Sequence, residues 1–411
     1  MQPGVHLMHP SGNNSQPMQQ APSRTLWIDY LRSFLTILVV AHHSSLAYTT
    51  FAHFDKVAYI RSTHPVVDSR RWIGLDIFEN FNDVFFMSLM FLIAGLFVIK
   101  SIERKGAVAF IRDRLYRLFI PFIAGGTILN LIAHYPAYLL AHGSAPLTAY
   151  VTDFFFIEQW PVGPPWFIWV LFTFSITFAV IYTPLRPAFT PSVRAGTRIP
   201  RLCKPAALIL SWFLFTFALY VPFAFWLGPY KWTGFGPFDF QVSRVALYFG
   251  YFLLGAWLGH VNFNEGMFSN SSTLVRRWPF WALACGLAYT LLTISSPYLT
   301  TLVKNSTLTE FQGYLIYYTI YSSSCTFSCI AFLTTFRALV KKPNTVWNSL
   351  SDHAYLIYLL HYPFVIWGQY LLLDIPLAAF AKFVITFVAS VAGSWLLAIQ
   401  LRKVKLLAKY L

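Results

Sequence analysis

The sequence predicts an all-α fold: a polytopic integral membrane protein of about ten transmembrane helices, both termini in the cytoplasm. Three observations lead there. Of 411 residues, 57% are hydrophobic and only 11% charged, whereas charged residues make up about a quarter of a soluble domain. The mean hydropathy is +0.55. Ten apolar runs are long enough to cross a bilayer: 26–48, 80–99, 118–141, 166–185, 206–227, 242–260, 279–296, 313–335, 350–373 and 377–400. Finally, the basic residues sort by side. Twenty-one Lys and Arg fall in one set of alternating loops and tails, and six (Lys56, Arg61, Arg70, Arg71, Lys231, Lys304) in the other. Lys and Arg collect in cytoplasmic loops, so the richer set, which holds both termini, is placed there. The formal net charge of +15 needs no nucleic acid to explain it.

Taken in order, residues 1–23 are rich in Gln, Pro, Ser, Asn and Met. They lack a basic start and an apolar run, so a disordered cytoplasmic tail is expected rather than a cleaved signal peptide. Residues 24–411 read as one transmembrane domain, with polar loops at 49–79 and 142–165 on the outer side. No fixed-period repeat and no clear inverted repeat of the transporter kind appears. Cys325 and Cys329 lie four apart in an apolar segment and read as packing residues; with Cys203 and Cys285 they make no zinc spacing. No metal site, phosphate-binding glycine loop, dinucleotide fingerprint or nucleophile elbow is present.

Chemistry enters where ionisable groups sit in apolar runs, at a cost of about 2.5 kcal/mol or more each. In the first helix, Arg32 and His43 are eleven residues apart. At about 100° and 1.5 Å per residue they return to within roughly 20° of one face, about 16 Å apart along the axis. They are expected to line one groove, with His42 pointing elsewhere. Asp29 either caps this helix or pairs with Arg32. In FIRDRLYRLFIP (110–121), Arg114 and Arg117 share a face and Pro121 can bend the helix. They read either as a basic anchor beside the bilayer or as a phosphate clamp, because guanidinium forks bind phosphate oxygens in pairs. With Arg32 on the same side, the clamp suits a polyphosphorylated cofactor.

The ninth helix carries Tyr355, Tyr358 and His361 at three-residue steps, either as hydrogen bonds between helices or as a wall of the same cavity. Asp352 and His353 are expected to cap it. Trp166, after Pro164 and Pro165, suits an interfacial belt. Asp76, Glu79 and Asp83 approach the second helix from outside. The first two read as solvated or capping, and Asp83 as able to steer an imidazole or bind an acceptor. Arg244 either snorkels outward or contacts an acceptor. His53, His64, His134, His142 and His260 receive no role.

These motifs together resemble the membrane-bound acyltransferase-3 family over about residues 25–400. The family's Arg, ten residues, His pattern is Arg32 and His43. Its Arg-x-x-Arg is Arg114 and Arg117. Its Phe-Phe-x-x-Ser-Gly appears as MFLIAG (90–95), with Ala94 for Ser. Its His-Leu-Trp-Phe-Leu appears as PPWFI, with Pro164 for His, and its late Tyr-x-x-His-x-Pro is Tyr358, His361 and Pro363. The resemblance implies transfer of an acyl group, acetyl or succinyl, from cytoplasmic acyl-CoA to a hydroxyl of a carbohydrate such as a glucan outside the inner membrane. No tightly bound cofactor is implied; acyl-CoA is a co-substrate, and the other partners are the acceptor and the lipid bilayer. Arg32, Arg114 and Arg117 would hold the CoA phosphates. His43 would act as general base or as acyl acceptor, with His361, Tyr358 and Asp83 orienting it or the acceptor. A secondary transporter of an anionic or polar solute, and a membrane scaffold, are the rival classes.

Overall fold

The computed structural model describes residues 25–143, 146–156, 160–161, 163–194, 205–261, 263–264 and 266–405. The expected tail, residues 1–23, lies outside the described residues, as do Cys203, Arg198, Arg201 and Lys204. The helices are α1 (Leu26–Leu46), α2 (Ile73–Gly95), α3 (Val98–Lys105), α4 (Ala107–Arg114), α5 (Ile120–Ala124), α6 (Asn130–His142) and α7 (Leu147–Phe156). There follow α8 (Trp166–Arg194), α9 (Pro205–Leu227), α10 (Val245–His260), α11 (Thr273–Arg276), α12 (Trp278–Lys304), α13 (Glu310–Leu339), α14 (Thr345–Leu371) and α15 (Ala379–Leu401). One small hairpin, β1 (Trp232–Thr233) against β2 (Phe240–Gln241), lies between α9 and α10.

Every apolar run expected to span is helical, but among the described residues seven helices are both long and apolar enough to cross a membrane. The runs in α1, α13 and α14 are long and less apolar. Their polar residues point inward: Ser33, Thr36 and Ser44 on α1, Ser324, Thr326 and Ser328 on α13, His361 and Gln369 on α14 are all buried. A helix surrounded by protein need not be apolar all round. The second helix starts at Ile73, seven residues before its apolar run, so Asp76, Glu79 and Asp83 are in the helix rather than approaching it.

Helix α1 is the centre. It packs on α2, α13, α14 and α15, and Leu31, Leu35 and Val40 have no exposure. Hydrogen bonds stitch α1 to α14 along its length. The Asn344 backbone N–H donates to the Tyr30 hydroxyl (2.7 Å), which donates to Asn348 Oδ1 (2.7 Å). The Ser33 and Ser351 hydroxyls are hydrogen-bonded at 2.8 Å, and Gln369 Nε2 donates to the carbonyl oxygens of His43 (3.0 Å) and Ser44 (3.2 Å). Helices α2 and α10 approach closely through glycines. A Cβ on Gly255 would lie 2.0 Å from the Leu92 carbonyl oxygen, and one on Gly95 2.2 Å from that of Phe252. Small residues at such crossings let two backbones touch.

The third predicted span contains two π-helical turns, Leu115–Phe119 and Gly125–Leu129. Pro121 explains the first. It has no N–H for the Arg117 carbonyl four residues earlier, and the Tyr355 hydroxyl of α14 donates to that oxygen at 2.8 Å.

Candidate active site

Arg32, Arg114 and Arg117, from α1, α4 and the first π turn, line one cavity of about 490 Å³. Thr36, Ser175, Ser351, Asp352 and Tyr355 complete its polar wall. Arg32 is half exposed and lies 3.4 Å from Asp29, so the expected pairing holds in place of a cap. Arg114 lies over the Phe110 ring, 4.8 Å from its centroid. Asp352 does not cap α14. Asn344 does, its Oδ1 accepting from the Val346 and Trp347 backbone N–H groups.

A second cavity of about 920 Å³ holds His43 together with His42, His64, His134, Glu79, Asp83, Asp239 and Tyr358. The expected single groove from Arg32 to His43 is therefore two cavities, and Tyr358 is the residue common to both walls. Its hydroxyl donates to the Pro164 carbonyl in the turn before α8. That is what Pro164 offers in place of a histidine side chain. Trp166 lines the second cavity and packs edge-on against Trp232 and tilted against Tyr248, so it belongs to the cavity wall.

The hydrogen bonds fix the tautomer of His43. Its Nδ1 lies 2.8 Å from the Val39 carbonyl oxygen, which can only accept, so Nδ1 carries the proton. His361 Nδ1 likewise donates to the Tyr358 carbonyl at 2.6 Å. The lone pair of His361 Nε2 then faces His43 Nδ1, 3.4 Å away. Nε2 of His43 keeps its own lone pair, and the side chain lines the cavity. Such a group takes a proton or attacks an acyl carbon. His361 is fully buried and meets the site through His43, the Tyr358 carbonyl and the Tyr362 ring.

Asp83 lines this cavity but does not steer an imidazole. Arg244 Nη1 donates to Asp83 Oδ2 at 2.8 Å. Arg244 does not snorkel: its side chain has no exposure and lies 4.9 Å from the Tyr230 ring centroid and 5.2 Å from that of Tyr321. Among the described residues Glu79 is the acid that approaches an imidazole, its Oε1 3.8 Å from His42 Nε2. Asp76 is buried and accepts from the Thr50 backbone N–H at 2.7 Å, so it is neither solvated nor a cap.

Three residues without a sequence-based role belong to the site. His134 lines the cavity and donates Nδ1–H to the Asn130 carbonyl at 3.0 Å. Gln369, with its amide nitrogen on the His43 and Ser44 carbonyls, accepts from His64 Nε2 at 2.8 Å. Burial pushes the His64 imidazole down to about 3, so it is neutral and serves as donor. His134 and Gln369 carried a signal, being polar groups within apolar runs. His64 carried none, because only the folding of its loop buries it.

A family model for the acyltransferase domain of the acyltransferase-3 family matches residues 25–399. The chain belongs to that family: it is a multi-pass membrane acyltransferase. No curated protein and no solved structure matches it.

Proposed function

We propose that the protein transfers an acyl group from acyl-CoA in the cytoplasm to a hydroxyl of a carbohydrate on the other face of the inner membrane. In this reading ten helices span, both termini are cytoplasmic, and residues 24–411 form one domain. The motif order also resembles that of glucan biosynthesis protein C, and on that resemblance the group is succinyl and the acceptor a glucan. Arg32, Arg114 and Arg117 hold the CoA phosphates, since guanidinium groups bind phosphate in charge-assisted pairs. The pantetheine arm runs past Tyr355 towards Tyr358 and brings the thioester to His43. His43 Nε2 takes the proton of the acceptor hydroxyl while that oxygen bonds to the acyl carbon. The C–S bond breaks and the thiolate recovers the proton. Formation of an acyl-imidazole first is the variant pathway.

The observation that carries the reading is the juxtaposition of the two cavities: three guanidinium groups on one, a free imidazole nitrogen on the other, and one tyrosine between. A transporter would also bury such groups, but would release no thiol. The test is thiol release from succinyl-CoA and acetyl-CoA in proteoliposomes supplied with glucan. His43→Ala should lower the rate about 10²–10⁴-fold and leave acyl-CoA binding intact. Arg114→Ala should weaken binding of the same ligand by about ten- to a hundredfold, one lost charged contact being worth about 1.5–3 kcal/mol. Absence of thiol release from the wild-type protein with every acyl-CoA and sugar tried would reject the enzyme reading.

A further inference from the structure

We infer that Tyr358 is a gate between the two cavities. Its ring is the partition, its bond to the Pro164 carbonyl is the latch, and it swings aside only as an acyl chain passes to His43. The inference rests on the proposed function in one respect, that the donor enters from the arginine side.

Four observations carry it. Tyr358 is the residue that lines both the cavity of about 490 Å³ and that of about 920 Å³, whereas a tyrosine with only a packing role is surrounded by side chains. The latch is releasable. The Pro164 carbonyl also accepts from the Phe167 backbone N–H at 3.4 Å, so it is not orphaned when the phenol leaves, and the freed hydroxyl meets a polar cavity. The ring is guided on one side by Phe167, with centroids 5.8 Å apart. Finally, the Tyr358 carbonyl accepts from His361, whose other nitrogen faces His43, so the gate sits on the same helical turn that sets the imidazole.

The closed gate has a chemical purpose. A thioester open to the larger cavity meets water as well as sugar. Water attacking its carbonyl carbon breaks the C–S bond and yields the free acid and the CoA thiol, the water proton passing to the thiolate. Keeping Tyr358 shut until the acyl chain pushes through confines the thioester to the arginine side.

The test uses a reporter that needs no activity. Ala94 lines the arginine cavity and is replaced by Cys in a full-length Cys203→Ser background; Cys285, Cys325 and Cys329 are buried. A charged, membrane-impermeant methanethiosulfonate is added on the side where the imidazole cavity opens. With Tyr358 intact, labelling should be slow. Tyr358→Ala should speed it at least tenfold and Tyr358→Phe, which keeps the ring but not the latch, severalfold. Equal rates in all three overturn the gate. If the Ala variant does not fold, the Phe variant decides alone. In parallel, Tyr358→Phe should raise hydrolysis of acyl-CoA without sugar severalfold over wild type. Faster labelling with no acyl-CoA turnover in any protein would leave the gate standing and reject the donor assignment; unchanged labelling with normal transfer would do the reverse.

Discussion

Asp239 lines the wall of the imidazole cavity from the loop before α10, and burial pushes its carboxyl up to about 6. The folded state therefore favours its protonated form. Between the ordinary value of 3.8 and about 6 the folded chain holds more protons than the unfolded one, so this group's contribution to stability falls as pH rises through that window. Asp239→Asn should remove that fall: thermal midpoints in detergent should favour the variant at pH 8 and converge with wild type near pH 4. At this scale much of the site was legible. Arg32, His43 and Tyr358 stood out as polar groups in apolar runs, and Arg114 as one of a pair of arginines on one helical face beside such a run. Gln369 was equally readable, eleven residues after Tyr358 and so on nearly the same helical face. What could not be read was pairing. That Asp83 meets Arg244 depends on how α2 is rotated against α10, and that Glu79 approaches His42 on how α2 is rotated against α1.

At the scale of elements, the glycines of α2 and α10 decide whether the cavity wall exists. Helix α2 carries Glu79 and Asp83, and its contact with α10 runs through Gly95, Gly255 and Gly259. Any side chain at Gly255 meets the Leu92 carbonyl, which is backbone and cannot rotate away. Gly255→Leu is expected to destabilise the protein by about 1–3 kcal/mol or more and to part Asp83 from Arg244. Lower thermal stability together with lost transfer, in a protein that still inserts, is the expected result. Helix starts were misread for a related reason. The apolar run of α2 begins at 80, but the helix begins at Ile73, because its first turns place acids against the cavity and the loop after α1. An irregular turn near Pro121 was legible, since proline removes a donor wherever it stands; that the Tyr355 hydroxyl donates to the Arg117 carbonyl was not.

At the scale of the whole molecule, the loop after α1 is locked to the last helix by a buried ion pair. Lys382 Nζ donates to Asp68 Oδ2 at 2.6 Å and to the Leu373 carbonyl at 3.0 Å, and both charged side chains are about 1% exposed. The Asp68 backbone N–H in turn donates to the Ala47 carbonyl at 2.9 Å, at the end of α1. Removing one partner of such a pair leaves a buried charge, at a cost of about 3–5 kcal/mol. Lys382→Met should therefore lower the unfolding midpoint markedly. Loosening of the loop that carries His64 should also reduce transfer before the protein unfolds. Unchanged stability would show that this pair is not what seats the loop.

The class of protein was settled by the sequence alone. Composition and the length of apolar runs are sums over many residues, and no arrangement of the chain alters them. The intramembrane Arg32, His43 and Tyr358 were equally readable, because the bilayer makes each one expensive. Only the tertiary structure decided that the arginines and the imidazole line two cavities with a tyrosine common to both, and that α2, α13, α14 and α15 all pack on α1. Those facts depend on helix rotation and on contacts between residues hundreds of positions apart. A few ångströms of packing determine them, and no local pattern in the chain records it.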